Sequence, residues 1–235
     1  DRMNTGERLV VVTGAGRGVG AATVKALLGH PGTRVIAVSR DLTGLRNSVE
    51  AEARLECFPL DLQATEAAMR LRGHIGDRRL HALVNNAGVL HKAEMGTHQR
   101  LALEKVFLTN AIAPLELAQA LAPMLAGDPP GHIVHIGSMG GFQDSAKFPG
   151  LVAYSASKAA LACMAQCLAE EFKDQGIRSN CLALGSVDTD MLRHAFPGFK
   201  AAATAEDMGR FIAEFSLYGH NLFNGKVIPV SSSTP

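Results

Sequence analysis

The chain has 235 residues, 47% of them hydrophobic, enough for one sizeable core, and α/β folds of this length are commonly a single domain. With 23 Lys and Arg against 22 Asp and Glu, interspersed in sign, the formal net charge of +1 excludes any bulk attraction to nucleic acid or anionic membrane, and two tyrosines without tryptophan offer little for base stacking. No apolar span is long enough to cross a membrane, no secretory leader is visible, and Cys57, Cys163, Cys167 and Cys181 lack CxxC spacing, so a soluble, reduced, cytoplasmic protein is expected.

Residues 1–8 are polar and aperiodic and are expected to form a flexible leader. Apolar runs then read as strands at 9–13, 34–39, 56–59, 82–85, 132–137, 178–184 and 226–230, with helices expected at 18–29, 42–51, 64–75, 99–126, 153–175 and 205–217. That alternation predicts an α/β fold, a doubly wound parallel sheet of seven strands with helices on both faces, filling 9–235 as one domain. Pro229 lacks the N–H that a central strand needs, which puts the last strand at a sheet edge.

The first strand runs into TGAGRGVG, with glycine at 14, 16, 18 and 20. Glycine costs backbone entropy, so such a cluster implies that something approaches the main chain closely. A glycine turn between a parallel strand and a helix presents free N–H groups and the positive helix end to a pyrophosphate. The spacing G-x-G-x-x-G fails, since Val19 stands where its third glycine belongs. T-G-x-x-x-G-x-G fits, through Thr13, Gly14, Gly18 and Gly20. The second strand ends in Ser39 and Arg40. An acid there would hold a ribose 2′-hydroxyl, whereas arginine accommodates a 2′-phosphate. Arg40, with Arg17 of the glycine loop, therefore points to NADP, while Asp41 keeps an NAD reading open.

YSASK sets Tyr154 and Lys158 one helical turn apart on one face. An ammonium near a phenol favours phenolate and brings its pKa toward working pH, as a general acid serving a developing alkoxide requires. Ser138 ends the strand HIVHIG, at the carboxyl edge where open α/β sheets bind ligands. Pro114 cannot bond the Asn110 carbonyl within a helix, so a kink is expected there.

The glycine motif, NNAG at 85–88 and Y-x-x-x-K, in that order over nearly the whole chain, resemble the short-chain dehydrogenase/reductase family. The resemblance implies a Rossmann-like fold and an NADPH-dependent carbonyl reductase, reversible as alcohol oxidation. It implies Tyr154 as general acid, Lys158 as the group that lowers its pKa and holds the cofactor ribose, Ser138 as a bond to the substrate oxygen, and Asn110 as holder of a relay water. It also implies cofactor contacts from Val19, from Asp61 and Leu62, from Asn86, Ala87 and Gly88, and from Gly185, Val187 and Thr189 of LALGSVDTD. Leu184 replaces the family's proline there, and Asp61 reads equally well as a surface acid ending a strand. Rival readings are an NAD-dependent hydroxyl dehydrogenase using Asp41 and a catalytically silent dinucleotide-binding regulatory protein.

The nine histidines lack metal-ligand spacing, so no metal is expected and surface or strand-end positions are the default. Cys163 and Cys167 are expected to pack as small apolar residues. Helices 99–126 and 153–175 carry apolar residues around much of their circumference (Leu115, Leu121, Met124; Leu161, Met164, Leu168), which predicts cover by a partner subunit in a homodimer or homotetramer. The Ser138 to Tyr154 interval, longer than the family's usual one, places an insertion in GGFQDSAKFPG. Met139, Phe142 and Phe148 there, with Met191, Phe196 and Phe199 in a lid at 190–203, favour an apolar or aromatic carbonyl substrate. Arg193, His194 and Lys200 leave an anionic one open.

Overall fold

In the computed structural model, which describes residues 7–49 and 53–232, β1 (Arg8–Thr13) leads through the glycine loop into α1 (Gly18–Leu28). There follow β2 (Thr33–Ser39), α2 (Thr43–Ser48), β3 (Leu55–Pro59), α3 (Ala67–Ile75) and β4 (Ala82–Asn85). The second half carries α4 (Arg100–Phe107), α5 (Ala113–Leu125), β5 (Gly131–Ser138), α6 (Val152–Glu171) and β6 (Ile177–Leu184). A short excursion, β7 (Val187–Asp188), α7 (Asp190–Ala195) and β8 (Ala203–Thr204), precedes α8 (Ala205–Tyr218) and β9 (Val227–Val230).

Seven strands form one parallel sheet in the order β3-β2-β1-β4-β5-β6-β9, and β7 pairs with β8 apart from it. The winding direction reverses between β1 and β4, which opens a crevice beyond the carboxyl ends of these strands. β1 shows why its run is continuously apolar: Leu9 and Val11 face a core with α3, α5 and Leu168 of α6, whereas Val10 and Val12 face a second core with α1 and α8. Pro229 sits beside Ala183 on the edge strand β9.

Most differences from the sequence expectation lie at element ends. Arg8, assigned to the leader, already pairs with Thr33 in β1; residues 1–6 lie outside the described residues. Residues 64–66 form turns ahead of α3, and the helix expected at 42–51 runs only over Thr43–Ser48, with Val49 extended and residues 50 and 51 outside the described residues. The helix expected at 99–126 is two helices joined by a π turn, Leu108–Ile112. Pro114 has no N–H, and at the junction the Ala113 amide bonds Leu108 five residues back. The helix expected to reach 175 ends at Glu171, followed by a 3-10 turn closed by Gly176 at φ 67.

Two side-chain expectations are corrected. His135 is buried in the middle of β5 and His220 is nearly buried, instead of lying at the surface or strand ends, and His132, at the amino end of β5, is fully buried as well. Cys163 and Cys167 are exposed on the outer face of α6, because the residues four apart that fill the core are Leu161, Ala165 and Leu168/Ala169. Among the described residues no three His, Cys, Asp or Glu side chains cluster as a metal would require, and no helix is long and apolar enough to cross a membrane.

Candidate active site

The glycine loop is shaped by close contacts with backbone. Gly14 and Gly18 have φ of 63° and 55°, the left-handed region open mainly to glycine. A Cβ on Gly20 would lie 2.2 Å from the Gly14 carbonyl oxygen, and one on Gly16 would lie 2.2 Å from that of Asp41. The loop is stitched to the β4 end: the Thr13 hydroxyl accepts the amides of Asn86 (3.1 Å) and Ala87 (3.0 Å), and Asn86 Nδ2 donates to the carbonyls of Thr13 (2.9 Å) and Gly14 (3.2 Å). Thr13, read from the sequence as a cofactor contact, is not among the residues that line the cavity. It is buried away from the cavity, its hydroxyl spent in positioning the 86–88 loop.

A cavity of about 740 Å³ spreads over the carboxyl ends of the strands. Gly14, Arg17, Gly18, Val19 and Gly20 line its floor, including the amino end of α1. On the β2 and β3 flank it is lined by Ser39, Arg40, Asp61 and Leu62. Asp41 stays off the wall: its Oδ1 accepts the Thr43 amide at 2.8 Å, which holds the carboxyl below its ordinary pKa. Asn86, Ala87 and Gly88 line the centre; Ser138, Tyr154, Lys158, Gly185, Val187 and Thr189 line the far flank. Gln63 and Thr109, bonded to each other at 3.0 Å, and Ser231, against which Gly185 packs, also line the wall and were not singled out from sequence. Ser231 follows the edge strand β9, and no local motif marks it.

Tyr154 and Lys158 project from one face of α6, and Ser138 hydrogen-bonds the phenol while accepting the Gly140 amide at 3.1 Å. Burial pushes the phenol above its ordinary pKa, with the Ser138 bond opposing. Lys158 is 4% exposed; burial lowers it to about 8, and its Nζ donates to the Ile136 carbonyl at 2.7 Å. The expected acidification of Tyr154 by Lys158 is thus not a property of the protein alone, because the lysine reaches down to the β5 backbone. Asn110 is fully buried behind Gly88 and off the cavity wall. Its Oδ1 accepts the Val89 amide (2.8 Å), and its Nδ2 donates to the Val89 carbonyl (2.9 Å) and to Ser157 Oγ (3.0 Å). Ser157 in turn donates to the Tyr154 carbonyl at 2.7 Å. Asn110 thereby ties the β4 loop to the helix that carries Tyr154.

The arrangement fits a dinucleotide: a cradle that side chains would fill, a helix amino end, Arg17 on the floor and Arg40 at one flank, and a phenol with a hydroxyl neighbour at the other. A family model for short chain dehydrogenase matches residues 8–198. The chain is 37% identical over 203 residues to Protein FixR of Bradyrhizobium diazoefficiens, spanning 81% of this chain and 71% of that protein. It is 34% identical over 181 residues to carbonyl reductase (NADPH) 2 of Sus scrofa, spanning 76% and 71%. The NADP active-site complex of Pseudomonas aeruginosa RhlG superposes with a TM-score of 0.85 at 28% identity, covering 97% of this chain and 96% of that one. The protein belongs to the short-chain dehydrogenase/reductase family of oxidoreductases.

Proposed function

We propose that the protein is an NADPH-dependent carbonyl reductase, with alcohol oxidation as the reverse reaction. The observation that carries this reading is the pair of arginines, Arg17 and Arg40, on the cavity wall, together with Asp41 turned away onto the Thr43 amide. Guanidinium suits a 2′-phosphate, and a carboxylate in that place would repel it. The NADPH in the name of the pig relative and the NADP in the RhlG complex support the same choice.

When bound, the reduced nicotinamide supplies a hydride to the carbonyl carbon. Tyr154, kept protonated by burial, gives its proton to the carbonyl oxygen, and Ser138 orients that oxygen through its own hydroxyl. Lys158 provides the nearby positive charge that favours the phenolate left behind. Asn110 acts as a positioning residue through Val89 and Ser157. A second copy of the chain, in a homodimer or homotetramer, covers the exposed apolar side chains Ile112 and Leu115 near the π turn and Val152 of α6.

The test is steady-state reduction of neutral ketones by NADPH and by NADH, for wild type and Arg40→Ala. Wild type is expected to favour NADPH, and Arg40→Ala to lose about tenfold in kcat/KM for NADPH with little change for NADH, the scale of one charged hydrogen bond. Equal use of both coenzymes by wild type would move the reading to an NAD enzyme. Absence of turnover with either, despite nucleotide binding, would leave the silent regulatory protein.

A further inference from the structure

The far flank of the cavity decides a question that sequence leaves open, namely whether the substrate body is apolar or anionic. Beyond Ser138 and Tyr154 the wall is made by Met139, Phe148, Leu151, Met191, Phe196 and Phe199. These come from two separate segments, the loop after β5 and the excursion around α7. Phe148 and Phe196 meet edge to face with ring centres 6.2 Å apart, and Phe196 and Phe199 lie 6.5 Å apart. Phe148, Met191 and Phe199 nevertheless remain 47%, 39% and 54% exposed. Apolar area left open along a cavity is a surface that an apolar occupant would cover.

Of the cations near this wall, Arg193, His194 and Lys92 are held by other partners. Arg193 pairs with Asp188 and Asp190, and His194 Nδ1 donates to the Asp190 carbonyl at 2.9 Å. Neither these two nor Lys200 lines the cavity. Lys92, from the loop after β4, donates to the Ala195 carbonyl at 3.0 Å and holds its ammonium 4.4 Å from the centre of the Phe196 ring, on the outer side of the wall. The cations that do line the cavity are Arg17, Arg40 and Lys158, toward the glycine loop and beside Tyr154. The charged group on the α7 side is Asp190, kept ionised by Arg193. A carboxylate carried onto this wall would thus find no cation lining it and would face the Asp190 carboxylate.

We propose that this site takes a neutral ketone bearing an aromatic-sized apolar body, seated on the wall of Phe148, Phe196 and Phe199, and that Lys92 fastens this wall through its cation–π contact with Phe196. The inference rests on the carbonyl reductase reading and adds the substrate class to it.

The experiment compares three carbonyl compounds under NADPH. Methyl benzoylformate and benzoylformate differ in the ester against the carboxylate, and ethyl pyruvate keeps the ester and lacks the phenyl ring. Methyl benzoylformate is expected to exceed benzoylformate by about a hundredfold in kcat/KM and ethyl pyruvate by about tenfold, the range for an unpaired buried charge and for a lost apolar group. Phe196→Ala is expected to raise KM for methyl benzoylformate about tenfold and to leave the KM for ethyl pyruvate and the NADPH Kd, read by nucleotide fluorescence, unchanged. Lys92→Met shifts the same KM in the same direction by a smaller factor. Should Phe196→Ala fold poorly by thermal melting, Phe199→Ala, at a more exposed ring, replaces it. Benzoylformate reduced as well as its ester, ethyl pyruvate as well as methyl benzoylformate, or an unmoved KM in the phenylalanine variant overturns the proposal and leaves the reductase reading intact. Bound NADPH with none of the three reduced overturns the reductase reading and the proposal together.

Discussion

The two ends of the sheet treat buried polar groups in opposite ways. At the carboxyl ends Ser138, Tyr154 and Lys158 converge on open space. At the amino ends a comparable set closes on itself. His132, one residue into β5, donates through Nδ1 to the Ser216 carbonyl (3.3 Å) and accepts Asn180 Nδ2 (3.0 Å). His81, just ahead of β4, donates to the Leu217 carbonyl at 3.0 Å, and the His220 ring sits 5.3 Å from His81 and 5.5 Å from His132. Burial, reinforced by mutual repulsion, lowers His132 to about 3 and His220 to about 4, so these rings stay neutral and serve as packing. Polarity inside a sheet therefore says little about chemistry until one knows whether it faces a cavity.

The comparison breaks most sharply at Tyr154. Tyr154→Phe should reduce kcat by about a thousandfold, the scale of a lost general acid, with the NADPH Kd unchanged; retained turnover would erase the distinction between the two ends. Next in size is Gly20→Ala, whose Cβ would press on the Gly14 carbonyl. Relief of that contact spreads the loop, and the NADPH Kd should rise about tenfold to a hundredfold by calorimetry, the cost of overpacking at a rigid site. The amino end should respond to acid and leave turnover chemistry alone. His132 is neutral in the fold down to about pH 3, while in the unfolded chain it takes up a proton near its ordinary 6.5. Its contribution is fully present above about pH 6.5 and is lost as pH falls toward 3, about 2 kcal/mol of it by pH 5. Thermal melting should therefore drop by several degrees between pH 7 and pH 5, and His132→Leu should lessen that slope, the remainder coming from His135 and His220, which burial lowers to about 3 and about 4.

What sequence made legible was what sterics dictate locally. A left-handed φ at Gly14 and Gly18, a missing N–H at Pro229, and the apolar run of β1 each have one structural answer. Pro114 marks where the helix departs from regularity, though whether by a kink or a π turn depends on what the freed turn packs against. Partners across the fold were not legible. Thr13 bonds a loop that arrives 73 and 74 residues later, and Lys158 finds a carbonyl on β5; neither choice leaves a trace in the flanking residues. The same holds for His132, which meets α8 and β6, for His135, which meets Asn85 of β4, and for Cys163 and Cys167, where a helical period identifies a shared face without saying which way it points.

The π turn at Leu108–Ile112 also constrains what this chain can become. A π turn holds about one residue more than an α turn, so losing or gaining a residue here would rotate everything on one side by about 100° around the helix axis. Asn110 would swing off Val89, or α5 would present its charged side to the sheet. The number of residues in this stretch is therefore as much a part of the site as the side chain of Asn110.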